Sequence, residues 1–444
     1  MKPLVQPPQL EPILQSCSFD ILTRVYEVEI THQGRYLHWD KMRHLSPPPG
    51  LTHEQWWLGT RLARRQQSRR VPLLDLNGQP FVYTLPDCIL AKLHAIDSLA
   101  SGRLTLGAQV ATEENRDRFI FNSLVEEAIT SSQLEGASTT RQVAADMIRY
   151  QRKPRDKSER MILNNYLAMQ SVRDLREQPL DYAGLMALHR TLTDATLEHA
   201  DAAGRIQQPG EQRVEVVDHL SHRSLYSPPP ATGLRERVEA LIAFANGDAA
   251  DASFIHPVVR AIIMHFWLAW LHPFEDGNGR TARALFYRAM LHHGYWLFEF
   301  ISISRILKQA PARYTRAFLE TESDGNDLTY FLIHQLGVIE QALAELEDYL
   351  ARKADQLQQV ERLLKHSDLN HRQIALLSHA VRHPGQEYTV KSHQISHRIA
   401  YATARADLLQ LAEMGLLFQR RIGRKTLEFI ASEDLEERIN ALQR

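Results

Sequence analysis

Cysteine is nearly absent: Cys17 and Cys88 are the only two in 444 residues. Two thiols cannot build a disulfide framework or a cysteine-based zinc site, and their scarcity fits a reducing compartment. Surplus charge is missing as well. The 52 Lys and Arg balance 53 Asp and Glu to a formal net charge of −1, so no global field draws the chain to nucleic acid or to a membrane surface. There is no long apolar run: the longest, Ala261 to Leu271, is interrupted by His265 and is too short to cross a bilayer. The first residues, Met1-Lys2-Pro3-Leu4-Val5-Gln6-Pro7-Pro8, lack the apolar stretch of a signal peptide. Internal repeats and long low-complexity segments are also missing. These absences lead to the expectation of a cytoplasmic protein with no membrane partner, long enough for two or three domains.

What is present is concentrated in one stretch, His272-Pro273-Phe274-Glu275-Asp276-Gly277-Asn278-Gly279-Arg280-Thr281-Ala282-Arg283. Gly277 and Gly279 allow backbone conformations in which successive N–H groups point at an anion. The residues that follow carry helix formers with apolar Ala284, Leu285, Met290 and Leu291. The turn therefore feeds a helix N-terminus, where unpaired N–H groups and the macrodipole favour phosphate. Arg280 and Arg283 lie three apart on one helical face, placed for phosphate oxygens. Asp276 offers a hard oxygen suited to Mg²⁺, and His272 is a proton acceptor that titrates near neutrality.

Around this stretch the pattern is mainly helical. Residues 1–105 are the exception and read as a mixed module: partial alternation over Ile21 to Ile30 predicts a strand, and Leu73 to Tyr83 a hairpin turning at Asn77-Gly78. Helices are expected from about residue 113 to a stop at Gly136, from Thr139 or Thr140, over Lys157 to Arg176, over Leu185 to Leu192 and over Leu234 to Asn246. His256-Pro257 opens a long buried helix that delivers His272, Pro311 opens another, and a last polar helix runs from Asp327 to about Leu364. Between Asp201 and Pro230, Val214-Glu215-Val216-Val217 reads as a short strand. Residues 367–432 change in composition, with nine Lys and Arg against five Asp and Glu. Three helices followed by a strand, a basic glycine turn and a strand resemble a winged helix-turn-helix, whose third helix, with Tyr401, Thr403 and Arg405 near its start, would enter a major groove. A winged helix used only for protein contacts fits equally.

The stretch at 272–283 resembles the His-Pro-Phe-x-Asp-Gly-Asn-Gly-Arg-x-x-Arg signature of the Fic (filamentation-induced-by-cAMP) family at every defining position. That resemblance implies an all-helical core and transfer of AMP from ATP to a protein hydroxyl. On it, His272 deprotonates the attacking Ser, Thr or Tyr. Asp276 holds Mg²⁺, Gly277, Asn278 and Gly279 form an anion hole, Arg280 and Arg283 hold the β and γ phosphates, and Thr281 completes the ATP-binding set. Val214, Val216 and Val217 sit where the family places a hairpin flap that docks the target peptide, although family flaps often carry glycine where this chain has Val217-Asp218. Tyr314 resembles a tyrosine that lines the nucleoside pocket; a packed helix aromatic reads equally well there. Upstream, Ser131-Ser132-Gln133-Leu134-Glu135-Gly136 resembles the Ser/Thr-x-x-x-Glu-Gly/Asn inhibitory helix. Glu135 reaching Arg283 would then occupy the place of the γ-phosphate, with Ser131 anchoring the helix.

The expected organisation is mainly α: an appended mixed α/β module at 1–105; a Fic-like domain at 106–345 that includes an inhibitory helix at about 117–136; a helical linker at 346–366; and a winged helix at 367–432. The expected cofactors are ATP and Mg²⁺. The partners are a target hydroxyl, the chain itself as a further target, duplex DNA through 367–432, and a second copy in a homodimer. Two rival readings keep the same residues. In one, the site runs backward and removes AMP, with Glu135 orienting water. In the other, Arg398, Arg405, Arg421, Arg424 and Lys425 bind DNA phosphates and the helical core only senses.

Overall fold

A computed structural model describes residues 4–99, 113–214, 216–217, 224–247, 254–365, 367–383, 385–422, 426–432 and 434–441. The chain divides into two units, one comprising Met1–Arg103 with Ile120–Ala344, the other Leu104–Phe119 with Glu345–Arg444.

The first unit opens with α1 (Leu10–Ser16), α2 (Phe19–Tyr26), α3 (Trp39–Met42) and α4 (His53–Gln67), then the strands β1 (Arg69–Leu74) and β2 (Pro80–Tyr83), then α5 (Asp87–Ser98). The strand expected over Ile21 to Ile30 is instead helical through Tyr26. Val25 is fully buried and Ile21 packs in the same cluster, so their i,i+4 spacing decides the conformation. Three alternating residues were too short a pattern to separate the two periods. The hairpin at Asn77-Gly78 is present, with Leu74 paired to Pro80 and Gly78 at φ 72°. In α4, Thr52 and Gln55 form a reciprocal capping box, which satisfies two of the N–H groups a helix start leaves open.

The helical part continues with α6 (Glu113–Leu134), α7 (Arg141–Arg149), α8 (Lys157–Asp174), α9 (Tyr182–Thr193), the short antiparallel strands β3 (Val216–Val217) and β4 (Ser224–Tyr226), and α10 (Leu234–Asn246). Then come α11 (Pro257–Leu271), α12 (Asn278–His292), α13 (Ile303–Gln309), α14 (Pro311–Ser323) and α15 (Thr329–Lys365). Helix α11 is apolar all round and buried from Val258 to Trp267 with one exception, Arg260, which makes it the axis of the bundle. Pro257 stands in its first turn and His256 accepts a hydrogen bond from Val258 N–H, the usual asymmetry of a helix start. Helix α12 packs along it, and the connection between these two helices is the 272–277 loop.

Residues 1–103 share the first unit's interior through buried charge. Arg64, 2% exposed, donates to Tyr330 Oη at 2.7 Å, to Ile30 O at 3.1 Å and to Leu37 O at 3.0 Å. It lies 3.6 Å from the Asp324 carboxylate, which also faces Arg61 at 3.0 Å. Tyr36 donates to Asp327 at 2.5 Å.

The second unit continues with α16 (His371–Arg382), β5 (Glu387–Thr389), α17 (Val390–His397), α18 (Tyr401–Glu413), β6 (Leu417–Ile422), β7 (Thr426–Ala431) and α19 (Leu435–Ala441). Its sheet runs β5-β7-β6, antiparallel throughout, and Leu377, Leu408, Leu411, Leu417 and Phe429 fill its core. Three residues long, β5 left no pattern to read in the sequence. Asp407 ties three helices together, accepting from Asn370 and Arg372 and lying 3.2 Å from His393 Nε2. The expected wing residues Arg424 and Lys425 lie outside the described residues. No helix among the described residues is long and apolar enough to cross a membrane.

Arg64→Met should cost about 3–5 kcal/mol, because it removes one of the two guanidinium groups facing the buried Asp324 carboxylate and takes a donor from Ile30 O and Leu37 O. Urea unfolding followed by tryptophan fluorescence measures this loss, since all six tryptophans lie in this unit.

Candidate active site

The loop from His272 to Gly277 owes its shape to two left-handed residues. His272 ends α11 at φ 48° and ψ 52°, and Gly277 precedes α12 at φ 80°. At Gly277 a β-carbon would stand 2.7 Å from Thr193 Cγ2, so both conformation and space require glycine. Asn278 closes the loop on itself: its side chain accepts from Phe274 N–H and donates to Phe274 O, each at 2.9 Å. With its residue 2% exposed, the amide expected to face phosphate is a brace for the loop instead.

Two neighbours from distant sequence hold the loop. His189 on α9 stacks on Phe274 with ring centroids 3.8 Å apart. Its Nδ1 accepts from Gly204 N–H at 3.0 Å, which fixes the tautomer and leaves Nε2–H to donate to Asp276 O at 2.9 Å. Burial pulls this imidazole down to about 4, so it is neutral at pH 7. Arg213 donates to both Leu271 O and His272 O at 2.9 Å, neutralising the carbonyl end of α11. Beside it the β3–β4 hairpin is tied to the same helix end by Tyr226 Oη, which donates to Trp270 O at 2.7 Å. Val214, just before β3, is exposed; of the expected flap residues, Glu215 and Asp218 lie outside the described residues. Neither His189 nor Arg213 had a signal in the sequence, because each acts through backbone atoms 87 and 59 positions away.

His272 is half-buried, and desolvation holds its pKa below the usual imidazole value; the nearby Glu135 carboxylate raises it in part. Asp276 is 43% exposed at the mouth of the loop and lies 3.5 Å from Arg280 Nη2. Arg280 itself is wholly buried. Its Nη1 donates to Leu192 O at 2.9 Å; Nη2 faces the Asp276 carboxylate at 3.5 Å, and Nε has no hydrogen-bond partner among the described residues. An unsatisfied guanidinium beside a helix N-terminus is a strong anion attractor. Thr281 donates back to Gly277 O and serves the helix turn. Tyr314 donates to, or accepts from, His265 Nε2 at 2.7 Å, and burial pushes its hydroxyl up to about 12.

The other end of the site comes from α6. Arg283, 1% exposed, donates from Nε to Ser131 Oγ at 2.8 Å and from Nη2 to Ser131 O and Glu135 Oε1, each at 2.9 Å. The Glu135 carboxylate lies against the first turn of α12, where a β-carbon on Gly279 would come within 2.1 Å of Glu135 Oε1. An internal carboxylate thus fills the place where helix dipole, Arg283 and Gly279 favour an anion. Glu127, one face round on α6, accepts from Tyr287 Oη at 2.8 Å, Ser302 Oγ at 2.7 Å and Ser304 N at 3.1 Å. This buried carboxylate pins α6 to the bundle, and the sequence did not mark it.

The donor set suits Mg²⁺ and a nucleotide. Among the described residues no three His, Cys, Asp or Glu converge, which excludes an all-protein cage there. One accessible carboxylate, Asp276, is what Mg²⁺ takes when substrate phosphates and water complete its sphere.

Comparison with known proteins places this geometry. Residues 179–290 match the model of the Fic/DOC family. A protein adenylyltransferase Fic from Nematostella vectensis is 32% identical over 97 residues, 22% of this chain and 20% of its own length. The protein of the same name from Drosophila virilis is 28% identical over 204 residues, 45% of this chain and 38% of its own. The chain therefore spans well under half the length of these relatives. A Fic family protein from Desulfovibrio desulfuricans G20 shares the fold at a TM-score of 0.51 and 18% identity, covering 79% of this chain and 98% of that one.

His189→Phe keeps the stack on Phe274 but leaves Gly204 N–H buried without an acceptor. A loss of about 1–3 kcal/mol in unfolding free energy is expected, measured by urea titration against wild type.

Proposed function

We propose, on the match of residues 179–290 to the Fic/DOC family model, that the chain moves AMP from ATP to a hydroxyl of a protein side chain, under restraint by its own Glu135. The observation that carries the proposal is the Glu135 carboxylate seated against Gly279 and paired with Arg283. A fold that must neutralise a site with its own anion has built that site for an anion.

His272, held neutral by desolvation, takes the proton as the hydroxyl oxygen attacks the α-phosphorus. That bond forms as the bond from the α-phosphorus to the bridging oxygen breaks, and pyrophosphate leaves. Asp276 would hold Mg²⁺, which would neutralise charge on the departing phosphates. Arg280, whose Nε has no partner among the described residues, and the N-terminus of α12 hold the phosphate chain in place, so the chain's contribution is positioning and electrostatics. Asn278 keeps the loop in shape. With Glu135 on Arg283 the γ-phosphate has no seat, and ATP binds out of line with the hydroxyl. The β3–β4 hairpin, tied to α11 beside His272, is the edge on which a target peptide docks.

A second reading concerns residues 367–432. Helices α17 and α18 are joined by a short turn with Arg398 in the left-handed region at φ 51°. Tyr401, Thr403 and Arg405 at the start of α18 are exposed, while Ala404, Asp407 and Leu408 face the core. A polar, aromatic and basic face at the start of the second helix of such a pair suits the major groove.

With label from α-³²P-ATP and Mg²⁺, Glu135→Gly should transfer about tenfold more than wild type, or better, to itself or to lysate protein. Adding His272→Ala should lower that by about 10²–10⁴. Equal labelling by wild type and Glu135→Gly would refute the restraint.

The acid limb of kcat/KM for Glu135→Gly should fall below pH 6.5, the ordinary imidazole value. The neutral form is the active one, and loss of the Glu135 charge removes an influence that raised the pKa. An acid limb above pH 6.5 would contradict the assignment of His272.

For the second reading, electrophoretic mobility of duplex DNA with the full chain should show binding that weakens steeply between 50 and 200 mM salt, roughly as the counterion-release slope requires. Arg405→Ala should weaken it, and absence of a shift at low salt removes this reading.

A further inference from the structure

The face of α6 opposite the site borders a cavity of about 410 Å³. Glu127, Ser131 and Glu135 repeat every four residues toward the bundle and Arg283, whereas Glu126, Ile129, Thr130 and Gln133 repeat at i, i+3, i+4, i+7 on the other side. These latter residues line the cavity together with Arg141 and, from α13, Arg305 and Lys308. Three cationic side chains therefore meet one carboxylate, Glu126, over an apolar floor at Ile129. The volume is that of a small-molecule site.

Two of these cations, Lys308 and Arg141, have partners that hold them weakly. Lys308 Nζ donates to a neutral amide, Gln133 Oε1. Arg141 pairs with Glu126 at 2.6 Å, but its side chain is 74% exposed, and an exposed pair of this kind holds little free energy. Gln133 also donates to Thr139 O at 2.9 Å. It thus spans the turn between α6 and α7 in which Glu135 sits, and Lys308 holds it there.

We propose that this cavity binds a small phosphate-bearing anion, and that binding releases Glu135 from Arg283. The anion takes Lys308 from Gln133 and Arg141 from Glu126, and its charge opposes Glu126. Each change removes a tether from the outer face of α6, whose last turn aims Glu135. The regulatory half rests on the restraint by Glu135 proposed above; the binding half does not.

The test is calorimetric titration of inorganic phosphate into the full chain. Wild type should bind, Arg305→Gln with Lys308→Gln should bind about tenfold more weakly, and the charge-conserving Lys308→Arg should bind like wild type. Equal binding by the double variant would overturn the cavity as the site. In the α-³²P-ATP assay, phosphate should raise labelling by wild type about fivefold and leave Glu135→Gly unchanged. Binding without stimulation overturns the release. Should Glu135→Gly label no faster than wild type, the restraint itself fails, while the calorimetry still decides the cavity.

Discussion

A guanidinium with no route to solvent must be given an anion by the chain or by a ligand, and Arg283 is in that position. It is buried at the heart of the helical unit, and the oxygens it donates to at 2.8–2.9 Å come from Ser131 and Glu135 at the end of α6, with the Tyr314 hydroxyl also beside it. A buried cation left unpaired costs several kcal/mol, so the end of α6 stays on α12 until another anion is offered. The same demand that holds the helix down is what a phosphate chain would satisfy. On the proposed function, stability of the resting fold and affinity for a nucleotide would compete for one side chain.

The rest of the site is arranged so that this competition has a fixed stage. The apolar helix α11 carries His272 to its end, and Arg213 and Tyr226 fasten that end from outside. His189 and Asn278 shape the loop through backbone bonds, leaving Asp276 partly open at its mouth. Glu127 holds the middle of α6 through four donors on α12 and the start of α13. With its middle pinned there, movement at the end of α6 is confined to the turn that follows Ser131.

Some of this was legible in the chain. The order of residues from His272 to Arg283 declares a base, a loop and a phosphate-binding helix start, because backbone chemistry links glycine positions, helix formers and charges locally. Helix limits such as Leu234 to Asn246 and Pro311 onward followed from capping and period in the same way. The α2 segment did not, since residues four apart, such as Ile21 and Val25, share a face in a strand and in a helix alike.

What the sequence by itself determined is which residues can do chemistry and which stretches must be helical, since those depend on neighbours within a turn or two. The tertiary structure alone decided that Asn278 braces a loop, that Arg280 is left with an unspent donor, and that His189, Arg213 and Glu127 belong to the site. It also decided that Glu135, 148 positions from Arg283 in the chain, lies against Gly279. Such pairings depend on how helices pack across the bundle, and no local pattern encodes the distance between two residues that meet only when the core closes.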